Sequence, residues 1–102
     1  MDQTIFRRKL NKEEVEAIIR RYVNEIKKEL SVSEVFLYGS YAKGKADEDS
    51  DIDICVISPQ FGADDIKEGQ YLLKKTIGID TRLEPVGYSP AAYQREESPL
   101  IY

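Results

Sequence analysis

Two apolar runs, joined by a Gly-Ser turn and an acidic segment, constrain this chain more than any other feature. The first run, residues 35–38, is β-branched and aromatic and predicts a strand that stops at Gly39-Ser40. The second run begins at Asp51 and Asp53. Residues two apart on a strand point to the same face, so these carboxylates should project side by side. Because like charges repel unless a cation lies between them, the pattern predicts a metal site facing a phosphate-binding turn.

Length and charge limit the class of protein. The 102 residues predict one domain, spanning residues 1–102. The formal net charge is −4, with acids bunched at residues 47–53, whereas a general nucleic-acid binder should show a basic surplus. No apolar run approaches the ~20 residues of a membrane span, and the first residues lack the layout of a signal peptide. We therefore expect a cytoplasmic protein that contacts neither membranes nor nucleic acid directly.

The absence of histidine removes several chemistries. Histidine-based catalysis and histidine-ligated zinc are excluded, and one cysteine cannot supply a zinc cage. That cysteine, Cys55, stands inside an apolar run. It is predicted to be a buried small hydrophobe in a reducing compartment.

The first half of the chain predicts a helix followed by two strands. Asn11 stands three residues before Glu14, which resembles a capping box. Apolar residues then follow a 3-4 spacing as far as Leu30, which predicts an amphipathic helix of about five turns. Strands are expected over residues 34–38 and 52–57, with Ser40 capping a short helix over residues 41–45.

The second half predicts helix, strand and short helix. The Asp64-Asp65 pair marks a helix start, and this helix should end near residues 74–76. A third strand is expected over residues 79–86, on which Asp80, Arg82 and Glu84 share one face and Pro85 indicates a sheet edge or strand end. Ser89-Pro90 then predicts one short helix.

Two alternative interpretations of the acidic and Gly-Ser region fail because each lacks a residue that its motif requires. Residues 39–45 match the P-loop pattern G-x-x-x-x-G-K, but Ala46 occupies the position of the hydroxyl that ligates magnesium. A calcium loop counted from Asp47 needs Gly at its sixth position and Glu at its twelfth, where this chain has Ile52 and Ser58. Residues 47–49 are therefore predicted to be a solvated linker.

A nucleotidyl-transfer site fits the same residues better. Backbone N–H groups and the Ser40 hydroxyl at a strand-to-helix turn can bind phosphate oxygens. Asp51 and Asp53 can hold two Mg²⁺ ions, which in such sites lie about 3.5–4 Å apart. A third carboxylate is expected on a neighbouring strand, to bind metal or to take the proton of the nucleophile. Glu84 and Asp80 both remain open for that role.

This pattern resembles the signature of the DNA polymerase β-type nucleotidyltransferase superfamily, and the small size is similar to its minimal nucleotidyltransferase branch. The resemblance rests on Gly39-Ser40, Ala42, Gly44 and residues 50–54. It implies an α+β fold, a small mixed β-sheet flanked by helices, with ATP or another nucleoside triphosphate as substrate and two Mg²⁺ ions. It also implies the following roles: nucleotide binding by Gly39, Ser40 and Lys43, and catalysis and metal binding by Asp51, Asp53 and Glu84.

The resemblance implies a partner as well. Similar minimal nucleotidyltransferases pair with a small helical HEPN protein as a toxin–antitoxin module, in which the nucleotidyltransferase is the antitoxin and transfers AMP to the toxin. A binding module that neutralises its partner by contact alone is the alternative, with Ile5-Phe6 and residues 99–102 available for contacts. Nucleotidylation of an antibiotic or another small molecule is a third possibility.

Overall fold

The computed structural model describes residues 8–95, except the side chains of residues 94 and 95. Ile5-Phe6 and residues 99–102, the two segments predicted to offer apolar contacts, lie outside the described residues. In chain order the elements are α1 (Lys12–Ile26), β1 (Glu34–Tyr38), α2 (Gly39–Lys43), β2 (Ile52–Ile57), α3 (Asp65–Lys74), β3 (Leu83–Tyr88) and α4 (Pro90–Arg95).

The three strands form one mixed sheet in the order β1-β2-β3. β1 pairs antiparallel with β2, and β2 pairs parallel with β3. β3 therefore lies at an edge, which is where Pro85 was predicted to stand because proline cannot donate to a sheet ladder. The predicted α+β fold, a small mixed sheet flanked by helices, is confirmed.

The first helix begins with the predicted capping box. The Asn11 side chain accepts from the Glu14 N–H at 2.8 Å, and Glu14 Oε1 accepts from the Asn11 N–H at 2.9 Å. The helix ends at Ile26, earlier than the periodicity predicts. The N–H groups of Lys28 and Glu29 bond carbonyls three residues back, so the chain tightens into a turn before Leu30.

The two faces of the central strand have different surroundings. Ile52, Ile54 and Val56 are fully buried in the main core, which includes Tyr22 of α1 and Leu72 of α3. Cys55 and Ile57 point to the opposite face, into a smaller cluster with Phe36 and residues packed around it. Tyr93 of α4 stacks on Phe36 there, with ring centroids 5.3 Å apart. Because side chains alternate along a strand, Asp53 belongs to this second face.

Both predicted ends of α2 are wrong. α2 begins at Gly39, so Ser40 lies inside the helix; its N-cap is Tyr38, which makes no side-chain capping bond. α2 ends at Lys43 because Gly44 takes a left-handed conformation, with φ of 71°.

The third strand begins at Leu83 rather than at residue 79. The N–H groups of Ile79 and Asp80 both donate to the carbonyl of Thr76 at 3.0 Å, which folds residues 76–80 into a turn. Asp80 therefore lies outside the strand on which it was predicted. None of the helices within residues 8–95 combines the length and the hydropathy that a membrane span requires.

Candidate active site

The Gly-Ser turn lies directly against a carboxylate of the central strand. Gly39 adopts φ of 75°, a conformation that side chains disfavour. A Cβ at residue 39 would stand 2.2 Å from Oδ2 of Asp53 and 3.0 Å from its Cγ. Only glycine lets the start of α2 approach Asp53 this closely, so the predicted phosphate turn and the predicted metal carboxylate form one local unit.

Strand register sets three residues in a row across the sheet. Tyr38 of β1 is the partner of Asp53 in β2, and Asp53 is the partner of Glu84 in β3. Neighbouring strands lie about 4.8 Å apart and partnered residues share a face, so Glu84 is the acidic neighbour of Asp53. Asp51 stands immediately before β2 and two residues from Asp53. Strand register thus places Glu84 beside Asp53, and Asp51 precedes Asp53 by two residues along the chain.

The charges of these acids act on one another. Burial raises the pKa of the Asp53 carboxyl, and the nearby charges of Asp51 and Glu84 raise it further. Asp53 is half-buried, whereas Asp51 and Glu84 are exposed. This concentration of negative charge beside a helix start suits a cation that also contacts an anionic substrate.

The carboxylates fit magnesium that shares its ligands with a nucleotide. Within residues 8–95, no three acidic or thiol side chains converge closely enough to form a metal cage by themselves. Mg²⁺ is usually held by one or two carboxylates together with substrate phosphates, and it seldom uses an all-protein cage. The donor set of Asp51, Asp53 and Glu84 is therefore compatible with an ion whose coordination shell is completed by a triphosphate.

Asp80, the other acid left open for the third position, is engaged elsewhere. Its Oδ2 accepts from Arg82 Nη2 at 2.7 Å, and its Oδ1 accepts from the Nε and the backbone N–H of Arg82 at 3.0 and 2.9 Å. A carboxylate bound in this bidentate manner has a structural role. The geometry favours Glu84 over Asp80 as the third acid.

The two other predicted nucleotide-binding residues occupy different ends of α2. Ser40 is half-buried in the first turn, next to Gly39, and its carbonyl accepts the N–H of Lys45 at 2.9 Å. Lys43 is exposed in the last turn, about 4.5 Å further along the helix axis than Ser40 by the usual rise per residue. The nucleotide-binding role of Lys43 stays a prediction.

The acidic linker closes on itself. The Asp47 side chain accepts from the Asp49 N–H at 2.9 Å and from the Ser50 hydroxyl at 3.2 Å. Ser50 Oγ in turn accepts the N–H of Asp47 at 2.9 Å. These bonds make residues 47–50 a compact turn that leads into Asp51, in agreement with the predicted linker.

Tyr38 is the neighbour of the site that sequence reasoning missed. Burial raises the pKa of its hydroxyl, and the charge of Asp53 adds to this effect. Its position could be found only from the strand register. Cys55, two residues beyond Asp53, is fully buried as predicted, and burial raises the pKa of its thiol to about 11.

Several known proteins are similar to this chain. Residues 19–94 match the family model for the nucleotidyltransferase domain. Protein adenylyltransferase MntA of Thermococcus cleftensis is 43% identical over 47 residues, which cover 46% of this chain and 48% of that protein. A candidate protein adenylyltransferase of Methanocaldococcus jannaschii is 31% identical over 94 residues, which cover 87% of this chain and 94% of that protein.

A second candidate protein adenylyltransferase of Methanocaldococcus jannaschii is 42% identical over 43 residues, or 50% of its length. The chain thus spans about half the length of two of these three relatives. The crystal structure of a candidate nucleotidyltransferase from Sulfolobus solfataricus superposes with a TM-score of 0.63 at 20% identity, covering 91% of this chain and 88% of that one. That likeness shows a shared fold.

Proposed function

This chain belongs to the nucleotidyltransferase domain family, and from that premise we propose that it is a magnesium-dependent enzyme that transfers AMP from ATP to a protein acceptor. The observation that carries the proposal is the contact between the Gly39 turn and Asp53, in a row that continues to Glu84. The N–H groups that bind phosphate and the carboxylates that bind metal must lie this close if both are to contact the same triphosphate.

The residues divide the chemistry between them. The backbone N–H groups at Gly39 and Ser40 bind phosphate oxygens and orient the triphosphate. Asp51 and Asp53 would hold Mg²⁺, which would stabilise the charge that develops on the phosphates. The acceptor hydroxyl oxygen attacks the α-phosphorus, and the bond to pyrophosphate breaks. Glu84, the strand partner of Asp53, takes the hydroxyl proton or helps to hold the metal.

A protein acceptor is supported by the relatives, three of which are named as established or candidate protein adenylyltransferases. The resemblance to minimal nucleotidyltransferases supports the finer part of the proposal. The acceptor is a HEPN-type partner protein, and the chain acts in the cytoplasm as the antitoxin of a toxin–antitoxin pair, as a single domain over residues 1–102.

Ligand binding tests the site without knowledge of the acceptor. A ligand that binds only the folded state raises the Tm, so ATP with Mg²⁺ should raise the Tm of the wild-type protein. ATP with EDTA should give a smaller shift, and Asp53→Asn should remove the magnesium-dependent part. Equal Tm values with and without saturating Mg²⁺-ATP would contradict the proposal and favour a binding module that neutralises its partner by contact alone.

A further inference from the structure

The outer side of α3 carries an exposed apolar stripe. Ile66 is 73% exposed, Leu73 is 56% exposed and Ile77, in the turn that continues the helix, is 72% exposed. The spacings of seven and four residues place all three side chains on one side of the helix. Single exposed apolar residues are ordinary, but an aligned group marks an interaction surface. We call these three residues the α3 stripe.

The helix does not need this stripe in order to form. Asp64 caps α3 by accepting the Lys67 N–H at 3.1 Å. Glu68 accepts from the N–H groups of Gly62, Ala63 and Asp64 at 2.9–3.1 Å, which fixes the loop before the helix. Leu72 anchors the inner side in the core. The outer apolar side chains are therefore not needed to hold α3 in place.

One edge of the stripe carries positive charge. Lys67 and Lys74 are seven residues apart along one edge of the stripe, and neither takes part in the ion pairs found within residues 8–95. Two carboxylates that could balance them, Asp64 and Glu68, already bond backbone N–H groups. Next to the stripe lies a shallow groove of about 460 Å³, lined by Glu25, Lys74, Lys75, Ile77, Gly78 and Ile79.

We propose that the α3 stripe docks an amphipathic helix of a partner protein, whose apolar face is edged by Asp or Glu side chains. A stripe that repeats at helical spacing over about three turns matches the ridge of another helix. Acidic edges would pair with Lys67 and Lys74. A second copy of this chain fits less well, because antiparallel packing of two α3 helices would set these lysines against their equivalents.

Docking here leaves the candidate active site free. Leu72 of α3 and Ile54 of β2 both belong to the main core, which lies on the face of the sheet opposite Asp53. The two surfaces therefore work independently, and the docking proposal stands whether or not the chain transfers AMP. A partner held at α3 would be bound continuously, while nucleotide binds and leaves on the other face.

A pair of designed helical peptides tests the proposal on the full chain. One fluorescent peptide of about 18 residues carries Leu at the a and d positions of its heptads, with Glu at the flanking positions. A second peptide is identical except that Lys replaces these Glu residues. By fluorescence anisotropy, the Glu peptide should bind at least about tenfold more tightly than the Lys peptide at low salt, and the ratio should fall at high salt. Leu73→Glu should weaken binding of the Glu peptide at least about tenfold, because an apolar contact is lost.

Two further variants separate docking from folding. Ala17→Glu, on the exposed side of α1, is the control and should leave peptide binding unchanged. Lys67→Glu with Lys74→Glu should reverse the preference between the peptides at an unchanged Tm. Equal affinity for both peptides, or wild-type affinity in Leu73→Glu, would overturn the proposal. A dimer in sedimentation equilibrium that Leu73→Glu abolishes would overturn it as well, by making a second copy the occupant.

Discussion

A Cβ at Gly39 would stand 2.2 Å from Oδ2 of Asp53, so the turn that begins α2 and the carboxylate of β2 share one space. The contact ties two functions together. The turn can offer N–H donors to a phosphate only while it stays against the strand, and Asp53 keeps its orientation only while residue 39 has no side chain. A substitution at either residue should therefore impair both phosphate binding and metal binding.

Gly39→Ala should reduce nucleotidyl transfer far more than it reduces stability. The new methyl group displaces the Asp53 carboxylate, and a misplacement of about 1 Å can cost about 100-fold in rate. The positive φ adds a destabilisation of about 1 kcal/mol. Initial rates of AMP transfer and urea unfolding measure the two effects.

Gly44→Ala is the matched control for this substitution. Gly44 has nearly the same φ, 71°, but a Cβ there meets no atom within 4 Å. It should therefore show the same loss of stability with a rate close to wild type. Equal rates for Gly39→Ala and Gly44→Ala would show that the contact with Asp53 has no part in the reaction.

Glu84 and Asp80 should separate into a functional acid and a structural acid. Glu84→Gln should lower transfer about 100-fold or more at an unchanged Tm, because it removes a charge next to Asp53 in the strand register. Asp80→Asn should lower stability by about 1–2 kcal/mol through its bonds to Arg82, and leave the rate near wild type. Steady-state rates with thermal unfolding distinguish the two, and the opposite result would make Asp80 the third acid.

The sequence was sufficient for features that depend on local chemistry. The Asn11–Glu14 capping box, the strand that stops before Gly39 and the buried Cys55 all follow from residue types and spacing. The start of β3 did not follow. Asp80 and Arg82 alternate as strand residues do, yet Asp80 bonds the backbone and guanidinium of Arg82 in a turn.

Which residues face one another on neighbouring strands also could not be predicted from the sequence. The preference for Glu84 over Asp80, and the presence of Tyr38 beside Asp53, depend on register, which no local pattern specifies. The glycine at residue 39 was predicted from its role in a phosphate turn. The structure adds a steric reason, since the carboxylate occupies the volume of a side chain.

Glu14 should make the start of α1 sensitive to acid. The hydrogen bonds from the Arg8 guanidinium lower the pKa of Glu14 from 4.5 to about 2, with a contribution from the Asn11 N–H. A depressed carboxyl pKa stabilises the fold fully above the unfolded pKa, and this contribution is lost as the pH falls from about 4.5 to about 2. Over this pH interval, the Tm of the wild-type protein should therefore fall by more degrees than the Tm of Glu14→Gln.

The choice of glutamine isolates the charge. Its amide oxygen can still accept the Asn11 N–H, so the capping box survives. Glu13→Gln, in the same first turn, is the control and should follow the wild-type pH profile. Parallel Tm profiles for wild type and Glu14→Gln would show that the Arg8 contact contributes nothing to stability.

The transfer reaction itself tests the central claim most directly. The protein is incubated with Mg²⁺, ATP labelled at its α-phosphate and the product of the neighbouring reading frame, and the acceptor is examined for added AMP by mass spectrometry. Asp53→Asn should remain folded, because burial and the adjacent charges already disfavour the ionised carboxyl. We predict labelled acceptor with the wild-type protein and at least a 100-fold lower rate with Asp53→Asn. Equal labelling by the two proteins would contradict the account.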